Sequence, residues 1–337
     1  MKNVFYMHKL SSIGGVESFL YYLSLKYNDF VVYYKEGNTE QVKRLAKNIE
    51  VHKYTKPIKC KRFFCNYGYD IEVEAEEYYH IVHYDPLNVG FTPMTSPGFK
   101  YIGVSKVACK GFEEKTGNKC ELIYNEVPIK KTGAKKLEGL NLISCTRLTS
   151  EKGAGRINKL ARALDKIGVK YHWRIYTNKK IYFDSPNIEV LPVKLDLRKE
   201  VEESSWLVQL SDCESFGLSV CESLILGTPV IITPLEAFYE IGCKHGINAC
   251  VVDFNMNNVD IPMIVKNGLK FDYKWVKTGW SKYLGKGNYN HNEKIKCKTL
   301  RRFYDLDLGI QYIRNQEIEL TRARASELES KDLVVVL

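Results

Sequence analysis

The sequence predicts an α/β protein of two domains with mostly parallel sheets, and three observations carry that reading. Apolar runs of strand length alternate with amphipathic stretches of helical spacing. The alternation is interrupted once, around Pro128 to Gly139, where the chain turns lysine-rich and loses apolar periodicity as a linker does. A chain of 337 residues, 45% hydrophobic and 27% charged, is of ordinary globular composition and suits about two domains.

In the first series, strand patterns at Val4 to Met7 and Phe30 to Tyr34 are each followed by a helical pattern, Val16 to Tyr27 and Gln41 to Lys47. Further strands are expected at His80 to His83, Tyr101 to Val104 and Leu122 to Tyr124, with a helix from Ser105. Pro86, Pro93 and Pro97 make residues 86–98 a loop. The second series gives strands at Leu140 to Cys145, Tyr171 to Tyr176, Ile188 to Leu191, Leu207 to Leu210 and Val230 to Thr233. Its helices are Ala154 to Ile167 and Leu218 to Leu226. Two Rossmann-like halves are the economical fold. The expected organisation is therefore an N-terminal domain over 1–128, a linker over 129–139 and a second domain over 140–297. A C-terminal segment over 298–337 shows helical spacing at Phe303, Leu306, Ile310 and Ile313, while 270–300 gives no clear pattern.

Composition removes several function classes. The net charge of +10 divides into +3, +4 and +3 over residues 1–130, 131–230 and 231–337, so no region is a basic arm for nucleic acid. Lys56, Lys59, Lys61 and Arg62 form the sharpest local cluster; it reads as a solvated loop, with contact to anionic lipid or to an acceptor phosphate as the alternative. None of the ten cysteines forms a C-x-x-C pair, and Cys109, Cys145, Cys221 and Cys250 sit in apolar segments as reduced core residues. Clustered Cys and His for zinc are missing from the pattern. The apolar runs are far short of the ~20 residues that cross a bilayer, and the start of the chain lacks the pattern of a secretory signal. A cytoplasmic protein is expected, with the basic cluster a candidate for peripheral contact with the inner face of a membrane.

Three loops carry chemistry. Gly14-Gly15 stands between the first strand and its helix, where glycines let helix-start amides approach an anion or a sugar; a plain tight turn uses the same residues. Arg147 and Lys152 place two cations around one strand-to-helix loop, a pair able to grip a diphosphate, though surface cations at loop ends are common. The strongest signal is Glu214-Ser-Phe-Gly-Leu-Ser-Val-Cys-Glu222. It puts Glu214 in a loop beside the amides of Phe216, Gly217 and Leu218, and Glu222 about two turns up the following helix. Such amides suit a phosphate or sugar hydroxyl, and a carboxylate can accept from two ribose hydroxyls. Asp305-Leu306-Asp307 spells a D-x-D, but within helical periodicity rather than at a strand end, so no metal role and no cofactor is expected.

These motifs resemble, in order, those of the retaining GT-B glycosyltransferases, particularly glycosyltransferase family 4 with its "glycosyl transferases group 1" domain. The matching elements are Gly14-Gly15-Val16-Glu17, His83 in Val-His-Tyr-Asp-Pro, Val104-Ser105, Asn125-Glu126-Val127-Pro128, Arg147-Leu148 with Glu151-Lys152-Gly153, the two glutamates, and Gly227-Thr228-Pro229-Val230. The resemblance implies two facing domains with an inter-domain cleft and a metal-independent transfer from a nucleotide sugar, UDP by family frequency, with retention. It implies that Arg147 and Lys152 bind the diphosphate, Glu222 the ribose, and Glu214 with Phe216 and Gly217 the donor sugar. It implies that Gly15 closes on the phosphate from the other domain with Gly14 on the acceptor side, that His83 lies near the reacting centre, and that the base rests near Val193. Thr146 and Ala249 stand where the family usually has glycine, and the N-terminal domain is short for the group. The acceptor, a glycan, lipid or protein, is not named by these residues. A catalytically silent GT-B partner of another transferase and a nucleotide-sugar epimerase are the rival readings.

Overall fold

The computed structural model describes residues 1–266, 269–276 and 278–337. Seven strands form the first sheet: β1 (Asn3–Leu10), β2 (Phe30–Gly37), β3 (Glu50–Lys53), β4 (Ile58–Cys65), β5 (Val73–Val82), β6 (Phe99–Gly103) and β7 (Cys120–Leu122). All pair in parallel, in the order β3-β2-β1-β4-β5-β6-β7. Register places Phe5 of β1 opposite Val32 and Phe64, and the Phe5 and Phe64 rings stack 4.6 Å apart in the core. Helices α1 (Gly15–Lys26), α2 (Thr39–Ala46) and α3 (Lys106–Thr116) connect β1 to β2, β2 to β3 and β6 to β7. Asn38 caps α2 and Ser105 caps α3 by accepting from helix-start amides.

Residues 54–57 and 66–72 join β3 to β4 and β4 to β5 without any helix. Of these strands, β4 and β5 are parallel neighbours, which ordinarily need a crossover of a dozen residues or more, usually helical. Here extended chain serves, which accounts for the short domain. It also corrects the reading of the basic cluster as a loop: Lys59, Lys61 and Arg62 lie on β4. Lys59 pairs with Glu74 at 2.8 Å and Arg62 with Glu77 at 2.8 Å.

The second sheet comprises β8 (Leu140–Cys145), β9 (Tyr171–Tyr176), β10 (Ile188–Leu191), β11 (Trp206–Gln209), β12 (Val230–Ile232) and β13 (Ala249–Val251). Its order is β10-β9-β8-β11-β12-β13, again parallel throughout. Its helices are α4 (Ala154–Lys166), α5 (Arg198–Glu203), α6 (Leu218–Leu226), α7 (Glu236–Glu240) and α8 (Ile261–Val265). The direction of winding reverses between β8 and β11, as it does between β1 and β4 in the first sheet, and a crevice opens at such switch points. The linker is pinned to this domain: Glu202 accepts from the Thr132 and Ala134 amides, and Lys136 donates to Ser204 and Thr228.

The chain then returns to the first sheet. Trp280 is fully buried there, its ring 5.2 Å from Phe19, and Tyr283 packs edge-on to Phe64 and Tyr79. The expected helical segment after Lys298 is instead a set of short strands and turns with one helix. A small antiparallel sheet, β17-β14-β18, is built from β14 (Lys294–Thr299), β17 (Glu317–Thr321) and β18 (Val334–Val336), and β15 (Phe303–Asp305) pairs with β16 (Ile310–Tyr312) as a hairpin. Only α9 (Arg322–Ser330) is helical, and it lies on α2 and β3, where Glu329 accepts from the Lys53 amide. The helical spacing came from residues on the two arms and the turn of that hairpin. Asp305 accepts from Arg324 Nε at 3.1 Å, and Arg324 also pairs with Asp307, so one guanidinium holds both acids of the D-x-D.

Candidate functional site

The carboxyl ends of β1, β8, β9 and β11 face a cleft of about 1320 Å³ between the two sheets. Gly14, Gly15, His83, Arg147, Lys152, Val193, Glu214, Phe216, Gly217, Leu218 and Glu222 all line it. They are gathered from the β1–α1 loop and the end of β5 in the first sheet, and from the β8–α4 and β11–α6 loops, the start of α6 and the segment after β10 in the second.

On the C-terminal side the β8–α4 loop is strained. Leu148 takes φ 51° with its side chain buried, a left-handed conformation that a non-glycine residue holds only at a cost, and it fixes Arg147 immediately before it. Gly153 ends the loop at φ 75°; a Cβ there would lie 1.9 Å from the Leu210 carbonyl, so only glycine lets α4 dock beside β11. The packing brings Lys152 onto Glu214: Nζ donates to Oε1 at 2.7 Å, and both side chains are only 15% exposed. Ser211 Oγ at 2.9 Å and Gln209 Nε2 at 3.1 Å donate to the same oxygen. Glu214 is therefore fixed as a carboxylate acceptor, with Lys152 already on it. Arg147, 63% exposed and 4.0 Å from Glu151, remains extended into the cleft.

Gly217 caps α6 at φ 84°, where a Cβ would meet the Phe238 ring at 2.7 Å. The helix starts at Leu218, so Glu222 stands one turn in, not two. Its first amides have no intrahelical partners and open on the cleft. Phe216 lines the cleft edge with its ring packed against Trp275 at 5.3 Å.

On the N-terminal side α1 begins at Gly15, whose missing Cβ faces open space. Glu17 closes the turn by accepting from the Ser11 amide at 2.8 Å, and a Cβ on Gly14 would strike its carboxylate at 2.1 Å. His83 follows β5; burial, with His80 nearby, pulls its imidazole down to about 3, so the ring is neutral and Nε2 has no partner among the described residues. Its carbonyl accepts from Ser215 Oγ of the other domain at 2.8 Å. Tyr22 on α1 donates to Glu222 Oε1 at 2.7 Å across the cleft. Burial pushes the Glu222 carboxyl up to about 7, against the pull of the Tyr22 hydrogen bond and the Arg44 charge.

Tyr22 and Arg44 were not among the residues the sequence picked out. Tyr22 reads as one more apolar position of the α1 pattern, and only the tertiary fold points its hydroxyl at Glu222. Arg44, whose guanidinium lies 3.5 Å over the Tyr21 ring, shares α2 with Lys43, and Lys47 is its C-cap; three cations within five residues of a helical pattern was the available signal. Lys56, Lys59, Lys61 and Arg62 lie outside the cleft lining. Among the described residues no group of three or more His, Cys, Asp or Glu could hold a metal, and no helix is long and apolar enough to cross a membrane.

No family model matches the sequence, and no curated protein is significantly similar to it. Solved structures are similar in shape. Anabaena HepE, in complex with UDP and glucose, superposes with a TM-score of 0.58 at 12% identity, covering 79% of this chain and 89% of its own. A glycosyltransferase from Rickettsia africae gives 0.53 at 13% identity, with 75% and 84% covered. WaaG, a glycosyltransferase involved in lipopolysaccharide biosynthesis, gives 0.51 at 11%, with 78% and 88% covered. Two parallel sheets facing across a cleft, in this company, are the GT-B fold.

Proposed function

We propose that the chain is a glycosyltransferase of the family 4 kind, moving a sugar from a UDP-linked donor to an acceptor hydroxyl with retention and without a divalent ion. The observation that carries the reading is the convergence of Arg147, Lys152, the α6 amide end, Glu214 and Glu222 opposite the Gly14-Gly15 turn of α1. The fold is shared with HepE, which was solved with UDP and with UDP-glucose. In this reading Glu222 accepts from the ribose and the base lies near Val193. Glu214, held by three donors, meets the sugar. The diphosphate, doubly anionic, draws Lys152 from Glu214 and is met by Arg147 and the helix-start amides. These are preorganised positive groups aimed at the charge that builds on the leaving group. Asp305 and Asp307 are both held by Arg324, so the reading routes no metal through them.

A thermal-shift panel of nucleoside diphosphates and sugar nucleotides tests the donor, since a ligand at 100 times its dissociation constant adds roughly 2.7 kcal/mol of stability. No stabilisation by any member would overturn the reading. Incubation with a stabilising sugar nucleotide alone separates the rivals: an isomerised sugar nucleotide marks an epimerase, and binding without turnover on any acceptor marks a silent partner.

A further inference from the structure

The N-terminal wall of the cleft carries a feature the donor does not use. Tyr67 and Tyr84 line it with their rings within 9° of parallel and 6.2 Å apart, and Phe91 extends the surface 5.1 Å beyond Tyr84. These are not core rings: Tyr67 is 55% and Phe91 50% exposed. The shelf faces the donor cations, because the Arg147 charge acts on the Tyr67 phenol, opposing the rise that burial causes. At its foot lie two buried polar atoms without partners among the described residues, Asn66 Oδ1 and His83 Nε2. Asn66 is only 4% exposed, and both residues line the cleft.

Buried acceptors and donors are normally satisfied, so these two atoms ask for a hydrogen-bonding ligand. Asn66 Oδ1 needs a donor. An acyl chain offers none, and covering the wall with one would leave the atom dry. A sugar ring fits both halves of the wall: its C–H face is apolar and weakly positive, which suits the negative face of an aromatic ring, and its edge bears hydroxyls that donate and accept. Resting on the reading of the chain as a glycosyltransferase, we propose that the acceptor is itself a glycoside whose ring lies on Tyr67 and Tyr84 and whose hydroxyls reach Asn66 and His83.

Saturation-transfer NMR on the full chain tests this with methyl β-glucoside, methyl β-galactoside, methyl α-mannoside and N-acetylglucosamine as probes. Phosphatidylcholine vesicles carrying diacylglycerol form the lipid arm. At least one glycoside should receive saturation at its ring protons in the parent and in Tyr67→Phe, which keeps the ring. Its affinity should fall roughly threefold to tenfold in Tyr67→Ala, the range for removing one aromatic ring from a partly exposed site. UDP-induced stabilisation should be equal in all three proteins. UDP stabilisation without binding of any glycoside would overturn the shelf alone, as would equal glycoside affinity in Tyr67→Ala or vesicle binding that depends on Tyr67. Glycoside binding without stabilisation by any member of the nucleotide panel would remove the transferase reading, and with it the sugar's assignment as acceptor.

Discussion

Glu222 makes the structure testable by pH alone. Burial raises its carboxyl to about 7, while an unfolded glutamate titrates near 4.5. Between those values the folded protein binds a proton that the unfolded chain has released, so stability must fall as pH rises from about 4.5 to about 7. Below that window both forms are protonated and above it both are charged, and the contribution is flat. The width of the window converts to roughly 3 kcal/mol at 1.36 kcal/mol per unit. Glu222→Gln keeps an oxygen for the Tyr22 hydroxyl and has no charge to desolvate. The variant should match the parent near pH 4.5 and exceed it by roughly 3 kcal/mol near pH 8, read by urea unfolding of both proteins across the range. Other titrating groups cancel in the difference. A parent–variant difference that does not change with pH would refute the buried, proton-holding carboxyl. The same carboxyl links to ligand: if the charged form accepts from the ribose, UDP affinity should drop below about pH 7 by up to tenfold per unit more in the parent than in Glu222→Gln, where only the phosphate's own titration remains.

Three further outcomes are expected. Lys152→Gln keeps a donor for Glu214 but removes the charge, so turnover at saturating donor should fall by about 10² to 10³ at near-parental melting temperature; undiminished kcat would remove Lys152 from leaving-group stabilisation. Gly217→Ala puts a Cβ 2.7 Å from Phe238 at φ 84°, and should lower stability by roughly 1 to 3 kcal/mol, visible as a lower Tm; a parental Tm would show that the α6 turn tolerates a side chain. Turnover should persist in excess EDTA, and its loss with rescue by manganese would bring a metal into the reaction.

The second domain was the more legible half in the sequence, for a physical reason. Buried parallel strands stay rich in apolar residues even where polar ones interrupt them, so Leu140 to Cys145, interrupted by Asn141 and Ser144, and Tyr171 to Tyr176, interrupted by His172 and Arg174, stand out and appear as β8 and β9 with those bounds. The same rule hid β3 and β4. β3 holds one apolar residue, Val51, between Glu50, His52 and Lys53, and in β4 Lys59, Lys61 and Arg62 break the apolar run, Lys59 and Arg62 pairing with Glu74 and Glu77 of the neighbouring strand. Antiparallel hairpins alternate instead, and Phe303, Leu306, Ile310 and Ile313 sampled both arms at intervals that imitate a helix. In the site, loop motifs were readable because glycine and charge at fixed offsets follow from local backbone geometry, as Gly153 and Gly217 show. The Lys152–Glu214 pair and the Tyr22–Glu222 bond were not, because each depends on how separate elements pack.

Those long-range contacts bear on how the cleft works. Within the site the two domains are joined by Tyr22 to Glu222 and by Ser215 to the His83 carbonyl. A typical net hydrogen bond contributes about 0.5 to 1.5 kcal/mol, so breaking both costs only about 1 to 3 kcal/mol. Micromolar binding of a ligand supplies about 8 kcal/mol, well above that cost. In the proposed reading, a ribose on Glu222 meets a carboxyl whose Oε1 already accepts from Tyr22, and a donor diphosphate that takes Lys152 frees one bond to Glu214. Donor binding in this reading draws on one partner of the Tyr22–Glu222 bond, while the bond from the Lys106 amide to Glu240 joins the domains elsewhere. The aromatic wall beside His83 belongs to the N-terminal domain, so the placing of that domain sets where an acceptor ring on Tyr67 and Tyr84 stands relative to Arg147 and Lys152.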